Sequence, residues 1–281
     1  MLNLRYFGAS YSNYMTLSND IEFHYHHLFW QKCEEYVEKY LRKMKQLAFA
    51  LLLSIMEGGA GVKFLRTVVI PCAGMGSRLG FGIPKALLEI EGKPLIIRQL
   101  EMLDAEDDIR VVVGYQAEKI MEIVRKYRRD VSFVFNYDYK SVGAGASVAL
   151  GTYGAGEYVL MLVGDILVHP DDMKMILGCH EEFVCGGTVS TDDPWLLQTY
   201  QSGGKELVRT FSKDAGNYEW SGIAQIKSEK IQMGTGYAFQ LIEPHLPMGF
   251  IKIRTREIDT IHDYERAAEW VRNHFQETES V

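Results

Sequence analysis

From Phe64 onward, short apolar runs alternate with stretches of helical period. Runs rich in Val, Ile, Leu and Phe predict strands at 66–71, 110–113, 131–135, 158–163 and 183–189. Helices are expected between them, at 94–104, 117–127, 147–152 and 171–180. Pro94, and Pro170 followed by Asp171 and Asp172, are start signals for two of these helices. Regular alternation of this kind gives an α/β fold, a mostly parallel sheet with helices on both faces. Ligands bind such sheets beyond the carboxyl ends of the strands. The loop at 73–85, Gly114-Tyr115, Asn136 and Asp165 all follow strands and should gather at one edge. After about residue 190 the texture becomes more polar. Segments 196–200, 207–211 and 222–226 read as a small antiparallel lid, and 258–273 as a closing amphipathic helix.

Residues 1–63 have a different pattern and are read as a separate extension ahead of a domain at 64–281. Between Leu28 and Met56 apolar residues recur at three and four (Phe29, Cys33, Tyr40, Met44, Leu51, Ile55), which predicts one helix with an apolar face. Gly58-Gly59-Ala60-Gly61 would end it as a linker. Such a helix could dock on the domain or pair two copies as a homodimer. A gene-model extension with a start near Met56 is the second reading. The third is a membrane signal, but the stretch from Met44 to Met56, with about ten apolar residues, is too short to span a bilayer and begins too far from residue 1 for a leader.

Composition narrows the function. The chain has 281 residues, 47% of them hydrophobic, and a formal charge of −7, which argues against a nucleic-acid binder. Four scattered cysteines suit a cytoplasmic protein with reduced thiols, and Cys179, His180 and Cys185 fit no common zinc spacing.

The stretch with the most chemistry runs from Thr67 to Leu88. A β-branched strand ends in Ala73-Gly74-Met75-Gly76-Ser77-Arg78, and Pro84-Lys85 follows. A strand feeding a glycine-rich turn brings backbone N–H groups close to phosphate oxygens. Arg78 and Lys85 add two cations, as a polyphosphate needs. The string is not a Walker A loop, and it fails the dinucleotide fingerprint at Leu79. Asp165 follows an apolar strand directly, where a carboxylate is costly to leave unpaired, and Mg2+ shared with substrate phosphate is a natural partner. A simple turn cap is the alternative. Asp259 or Thr260 would cap the last helix, with Asp263 in a structural role.

The string Ala-Gly-Met-Gly-Ser-Arg-x5-Pro-Lys, with Leu87-Leu88-Glu-Ile-Glu-Gly-Lys-Pro94 after it, resembles the signature of the sugar-nucleotide-type nucleotidyltransferases, and in look the phosphocholine and inositol-1-phosphate cytidylyltransferases. The resemblance covers about residues 64–272. It implies a Rossmann-like nucleotidyltransferase fold and transfer of a nucleoside monophosphate, CTP being the favoured donor, to a phosphorylated small acceptor with release of pyrophosphate. It makes Arg78 and Lys85 catalytic, and Asp165 and Asp259 the Mg2+ ligands. It assigns the nucleotide to Ala73, Gly74, Met75, Gly76, Ser77, Asn136, Gly143, Ala144 and Ser147. Trp195 (after Asp192-Asp193-Pro194), Lys213 and Glu219 are the acceptor candidates, an indole beside carboxylates being suited to a quaternary ammonium. The segment between Ile231 and Ile258 is short for the choline-type enzymes, which counts against choline. A UTP- or dTTP-using sugar-1-phosphate transferase, a non-turning-over nucleotide-binding module and a glycosyltransferase remain as rivals. The last would want Asp-x-Asp where Gly164-Asp165-Ile166 stands.

Overall fold

The computed structural model describes residues 65–76 and 80–275. The helix expected at 28–56, its linker, its role in pairing two copies, and the loop residues Ser77 and Arg78 lie outside the described residues.

In chain order the strands are β1 (Arg66–Pro71), β2 (Glu89–Ile90), β3 (Lys93–Pro94), β4 (Ile109–Val113), β5 (Ser132–Phe135), β6 (Tyr158–Leu162) and β7 (Ile166–Val168). They continue with β8 (Phe183–Gly187), β9 (Leu196–Ser202), β10 (Lys205–Ser212), β11 (Tyr218–Lys227), β12 (Met248–Lys252) and β13 (Thr255–Glu257). The helices are α1 (Leu95–Glu101), α2 (Ala117–Tyr127), α3 (Ala144–Thr152), α4 (Pro170–Gly178) and α5 (Ile261–His274). Each of the five expected strands and five expected helices is present, with ends shifted by a few residues.

β1 lies inside the sheet because every residue from Arg66 to Ile70 is buried. It pairs in parallel with β4 on one side and β6 on the other, and β5 adds in parallel beyond β4. The full order is β5-β4-β1-β6-β11-β8-β12-β10-β9. Alternation along β1 divides the core. Val68 and Ile70 join the large cluster with Leu100, Ile120 and Ile176, while Val69 meets Val112 and Val159 on the other face. The second face is covered by α3, whose small residues allow a close approach. A Cβ on Gly151 would stand 2.5 Å from Val69 Cγ1.

The lid expected from 196 to 226 is not a separate layer. β9, β10 and β11 belong to the main sheet, and β11 sits in its middle, antiparallel to both β6 and β8. In β11 the polar residues Ser221 and Gln225 are buried with partners. Gln225 accepts from Arg66 Nε at 2.6 Å and donates to Glu181 O, and Ser221 donates to Cys185 O at 2.9 Å. At Gly222, φ is +75°, and the register against β8 slips there. This is a bulge only glycine fits, since a Cβ would meet Val163 Cγ2 at 2.2 Å. It bends β11 beside the loop that carries Asp165.

Candidate active site

Four strand ends meet at one edge of the sheet, as the alternation predicts: Ala73 after β1, Gly114 after β4, Asn136 after β5 and Gly164-Asp165 after β6. A cleft of about 700 Å³ opens over them, with Ala73, Gly74, Gly76 and Lys85 on one wall and Trp195, Lys213 and Tyr237 on another.

Lys85 opens a single helical turn after Pro84, with Ala86 and Leu87 buried behind it. Its stem runs beneath Gly76, where an added Cβ would meet Lys85 Cγ at 2.9 Å and φ is +60°. The close approach of loop and lysine therefore needs a glycine there. Lys85 Nζ donates to Asp165 Oδ2 at 2.9 Å and to Asp259 Oδ1.

Asp165 is held from three sides. Gln99, fully buried in α1, donates its amide to Val163 O (2.8 Å) and Ile166 O (2.9 Å), bracketing the Gly164-Asp165 turn. Ile258 N–H donates to Asp165 O at 3.0 Å. Gly164 packs on the end of β1, where a Cβ would meet Pro71 O at 2.9 Å. Asp259 arrives through β13, which pairs antiparallel with β7 so that Glu257 lies opposite Ile166. Thr260 then caps α5 in a reciprocal box with Asp263, so the cap is Thr260 and Asp263 is structural.

Glu257 completes the group. Single ligand atoms of Asp165, Glu257 and Asp259 all lie within 4.8 Å of one another, the only such cluster of metal-capable side chains among the described residues. Burial pushes the Glu257 carboxyl up to about 8, and the charges of Asp165 and Asp259 push the same way, against Lys85. Burial works against the charge of Lys85 as well, but the two aspartates outweigh it and its pKa is raised. Three oxygen ligands facing one ammonium suit a hard divalent cation such as Mg2+. Glu257 was not among the sequence candidates. Its signal was there in the spacing: Glu257 ends β13 two residues before Asp259, close enough in the chain for both carboxylates to join one cluster. Cys72 also reaches this cleft, but burial and the nearby Asp165 push its thiol far up, so it is inert.

On the nucleotide side, Asn136 and Ser147 are brought together. Asn136 Nδ2 donates to Ser147 Oγ at 2.9 Å, and its Oδ1 accepts from Asp138 N–H at 3.0 Å. Gly143, Ala144 and Ser147 line the cleft. The Gly143 and Gly145 N–H groups are engaged by Thr235 O (2.7 Å) and Gly236 O (2.9 Å). Backbone donors at these two glycines therefore serve a strap at 235–237. Met75 is exposed on the loop.

The acceptor candidates separate. Trp195 and Lys213 line the cleft. Glu219 is buried beneath them, and its carboxylate accepts from Ser190 N–H (2.6 Å), Ser190 Oγ, Thr191 N–H and Thr191 Oγ1. It anchors the turn that leads into Asp192-Asp193-Pro194-Trp195 and does not itself line the cleft. Oε2 accepts three of these bonds and Oε1 one.

A mixed sheet whose strand ends hold a glycine loop, a half-buried lysine and a carboxylate cluster defines a nucleotide-handling α/β domain. The chain belongs to the family of MobA-like NTP transferase domains, whose pattern it matches over residues 68–222, more than half its length. It is 34% identical to the bifunctional protein GlmU of Aliarcobacter butzleri (strain RM4018) over 111 residues, 39% of this chain and 26% of that protein. It spans well under half the length of the curated relatives it matches. Solved structures share its fold, these two among them. The CTP:phosphocholine cytidylyltransferase LicC of Streptococcus pneumoniae aligns with a TM-score of 0.59 at 20% identity, covering 74% of this chain and 99% of that one. The inositol-1-phosphate CTP transferase of T. maritima aligns at 0.63 and 14%, covering 77% and 99%. Among the described residues no helix is long and apolar enough to cross a membrane.

Proposed function

We propose that the domain at 64–281 is a nucleotidyltransferase that moves a nucleoside monophosphate from an NTP to a phosphorylated small acceptor, releasing pyrophosphate. The observation that carries this reading is Lys85 seated between Asp165 and Asp259 beside a glycine-rich loop. That set matches the needs of phosphoryl chemistry, in which the barrier is charge repulsion and positioning rather than proton removal.

An acceptor phosphate monoester is mostly ionised at neutral pH, its second pKa being about 6, so it attacks without a general base. One acceptor oxygen forms a bond to the α-phosphorus, and the bond from that phosphorus to the bridging oxygen breaks. The electron pair leaves with pyrophosphate, and no proton need move. Asp165, Asp259 and Glu257 are the residues that would hold Mg2+. When bound, the ion supplies charge neutralisation at phosphate oxygens. Lys85, held by Asp165 and Asp259, is placed to offer its ammonium to a phosphate oxygen in the cleft. Arg78, by its position in the loop, is assigned to the outer phosphates. The strap 235–237 on Gly143 and Gly145 closes the base side, with Asn136 and Ser147 at its floor.

CTP is put first among the donors because LicC and the T. maritima transferase, both of this fold, use it by name. UTP is the alternative, on the GlmU relationship. Pyrophosphate release measured across four NTPs and a panel of phosphorylated acceptors tests the reading. Nucleotide binding without release from any pair would instead support a regulatory module.

A further inference from the structure

We infer that Lys213 sets the acceptor class of this site, and that the acceptor is a phosphate whose organic part is uncharged and hydroxyl-rich, such as a sugar or cyclitol phosphate, not one that carries a cationic group. The inference rests on the transferase reading above and deepens it.

An acceptor that carries an ammonium needs two things from a protein: an aromatic face and a carboxylate. The cleft wall has both, in Trp195 and Asp193, and one residue of the chain itself already uses both. Lys213 Nζ stands 5.0 Å from the centroid of the Trp195 ring, inside the roughly 6 Å reach of a cation–π contact. The same ammonium donates to Asp193 Oδ1 at 2.6 Å and to Asp193 O at 2.8 Å. An exposed ion pair alone holds a lysine weakly. Here the ring and the backbone carbonyl add two further contacts to one ammonium. The rest of the indole is engaged too, by Phe239 at 4.3 Å and Tyr237 at 6.1 Å between centroids.

The neighbouring acids do not restore a cation site. Glu219 is committed to Ser190 and Thr191. Glu257 belongs to the carboxylate cluster deeper in the cleft. Asp192 lines the cleft only at its exposed rim, where a solvated carboxylate holds a cation weakly. A quaternary ammonium entering here would meet the positive charge of Lys213 at the position it needs, and like charges repel. A hydroxylated acceptor meets the reverse situation. An ammonium and a carboxylate side by side offer a donor and an acceptor to adjacent hydroxyl groups. The loop is also fixed from below by Glu219, so the pair is presented on an anchored turn.

The test compares three acceptors on the full chain with Mg2+ and each of CTP, UTP, ATP and GTP: phosphocholine, inositol 1-phosphate and glucose 1-phosphate, read as pyrophosphate release. The wild type is expected to show a kcat/KM at least about tenfold higher for one of the hydroxylated acceptors than for phosphocholine. Lys213→Ala should cut that ratio by about tenfold or more, by removing the cation that excludes choline and the donor that holds hydroxyls. A ratio unchanged in Lys213→Ala, or a wild type that prefers phosphocholine, overturns the inference and leaves the transferase reading standing. Absence of pyrophosphate release with every NTP and acceptor overturns both.

Discussion

Lys85 Nζ lies 2.9 Å from Asp165 Oδ2 although the two residues are 80 positions apart in sequence. The lysine comes from the turn after β1 and the aspartate from the turn after β6, so the parallel pairing of β1 with β6 is what makes them neighbours. Losing either partner breaks a half-buried ion pair and removes a group that the proposed reaction uses. Lys85→Ala and Asp165→Asn should each lower kcat by at least ~100-fold, about 2.7 kcal/mol of barrier. Steady-state pyrophosphate release on the preferred acceptor checks this, and near-wild-type turnover in either variant would remove the residue from the mechanism.

Glu257 gives a pH dependence with a definite sign. Its carboxyl ionises near the ordinary value of 4.5 in the unfolded chain and at about 8 in the folded, metal-free protein. Between those values the folded state binds more protons than the unfolded state, so this group lowers stability as pH rises. Without Mg2+, the melting temperature of the wild type should fall across pH 5–8 more steeply than that of Glu257→Gln. Equal slopes would show that Glu257 ionises normally.

Gln99 touches neither the cleft nor a ligand, yet it fixes both carbonyls that flank Asp165. Gln99→Met keeps the size and removes both donors. Outer partners of this kind commonly influence metal affinity by 10-fold or more. Calorimetric Mg2+ binding should weaken by about 10-fold, while the KM for the acceptor stays within about twofold of wild type. A lower melting temperature with unchanged Mg2+ affinity would mean that Gln99 serves only the core.

Glu219 acts through the turn at Ser190-Thr191. Glu219→Gln turns one accepting oxygen into a donor facing other donors, which should loosen the loop carrying Asp193 and Trp195. The expected result is an acceptor KM raised about 10-fold with the CTP KM changed by less than about twofold. Equal changes in both constants would contradict a local role for this anchor.

These variants also show what a sequence can and cannot reveal. The β1 run, the glycine loop with Pro84-Lys85, Asp165 after a strand, and Asp259 before a helix were legible because each has a local pattern. The glycine strings at 74–76 and 143–145 were legible as close-approach points, although the second serves the strap at 235–237 through its backbone. The central position of β11 was hidden because Glu219, Ser221 and Gln225 are polar yet buried, each satisfied by a distant partner. Gln99 was hidden for the same reason. Its task is defined by Val163 and Ile166, more than sixty residues away. The pairing of Lys213 with Trp195 and Asp193 depends on a turn between β10 and β11, and no periodicity reports that.

The most direct measurement is pyrophosphate release from CTP, UTP, ATP and GTP, each paired with inositol 1-phosphate, hexose 1-phosphates and phosphocholine in the presence of Mg2+. The account predicts release of pyrophosphate with one nucleotide and one phosphorylated acceptor, matched mole for mole by a nucleotide-linked product, and abolished by chelation of the metal. Tight nucleotide binding with no pyrophosphate from any pair would contradict it.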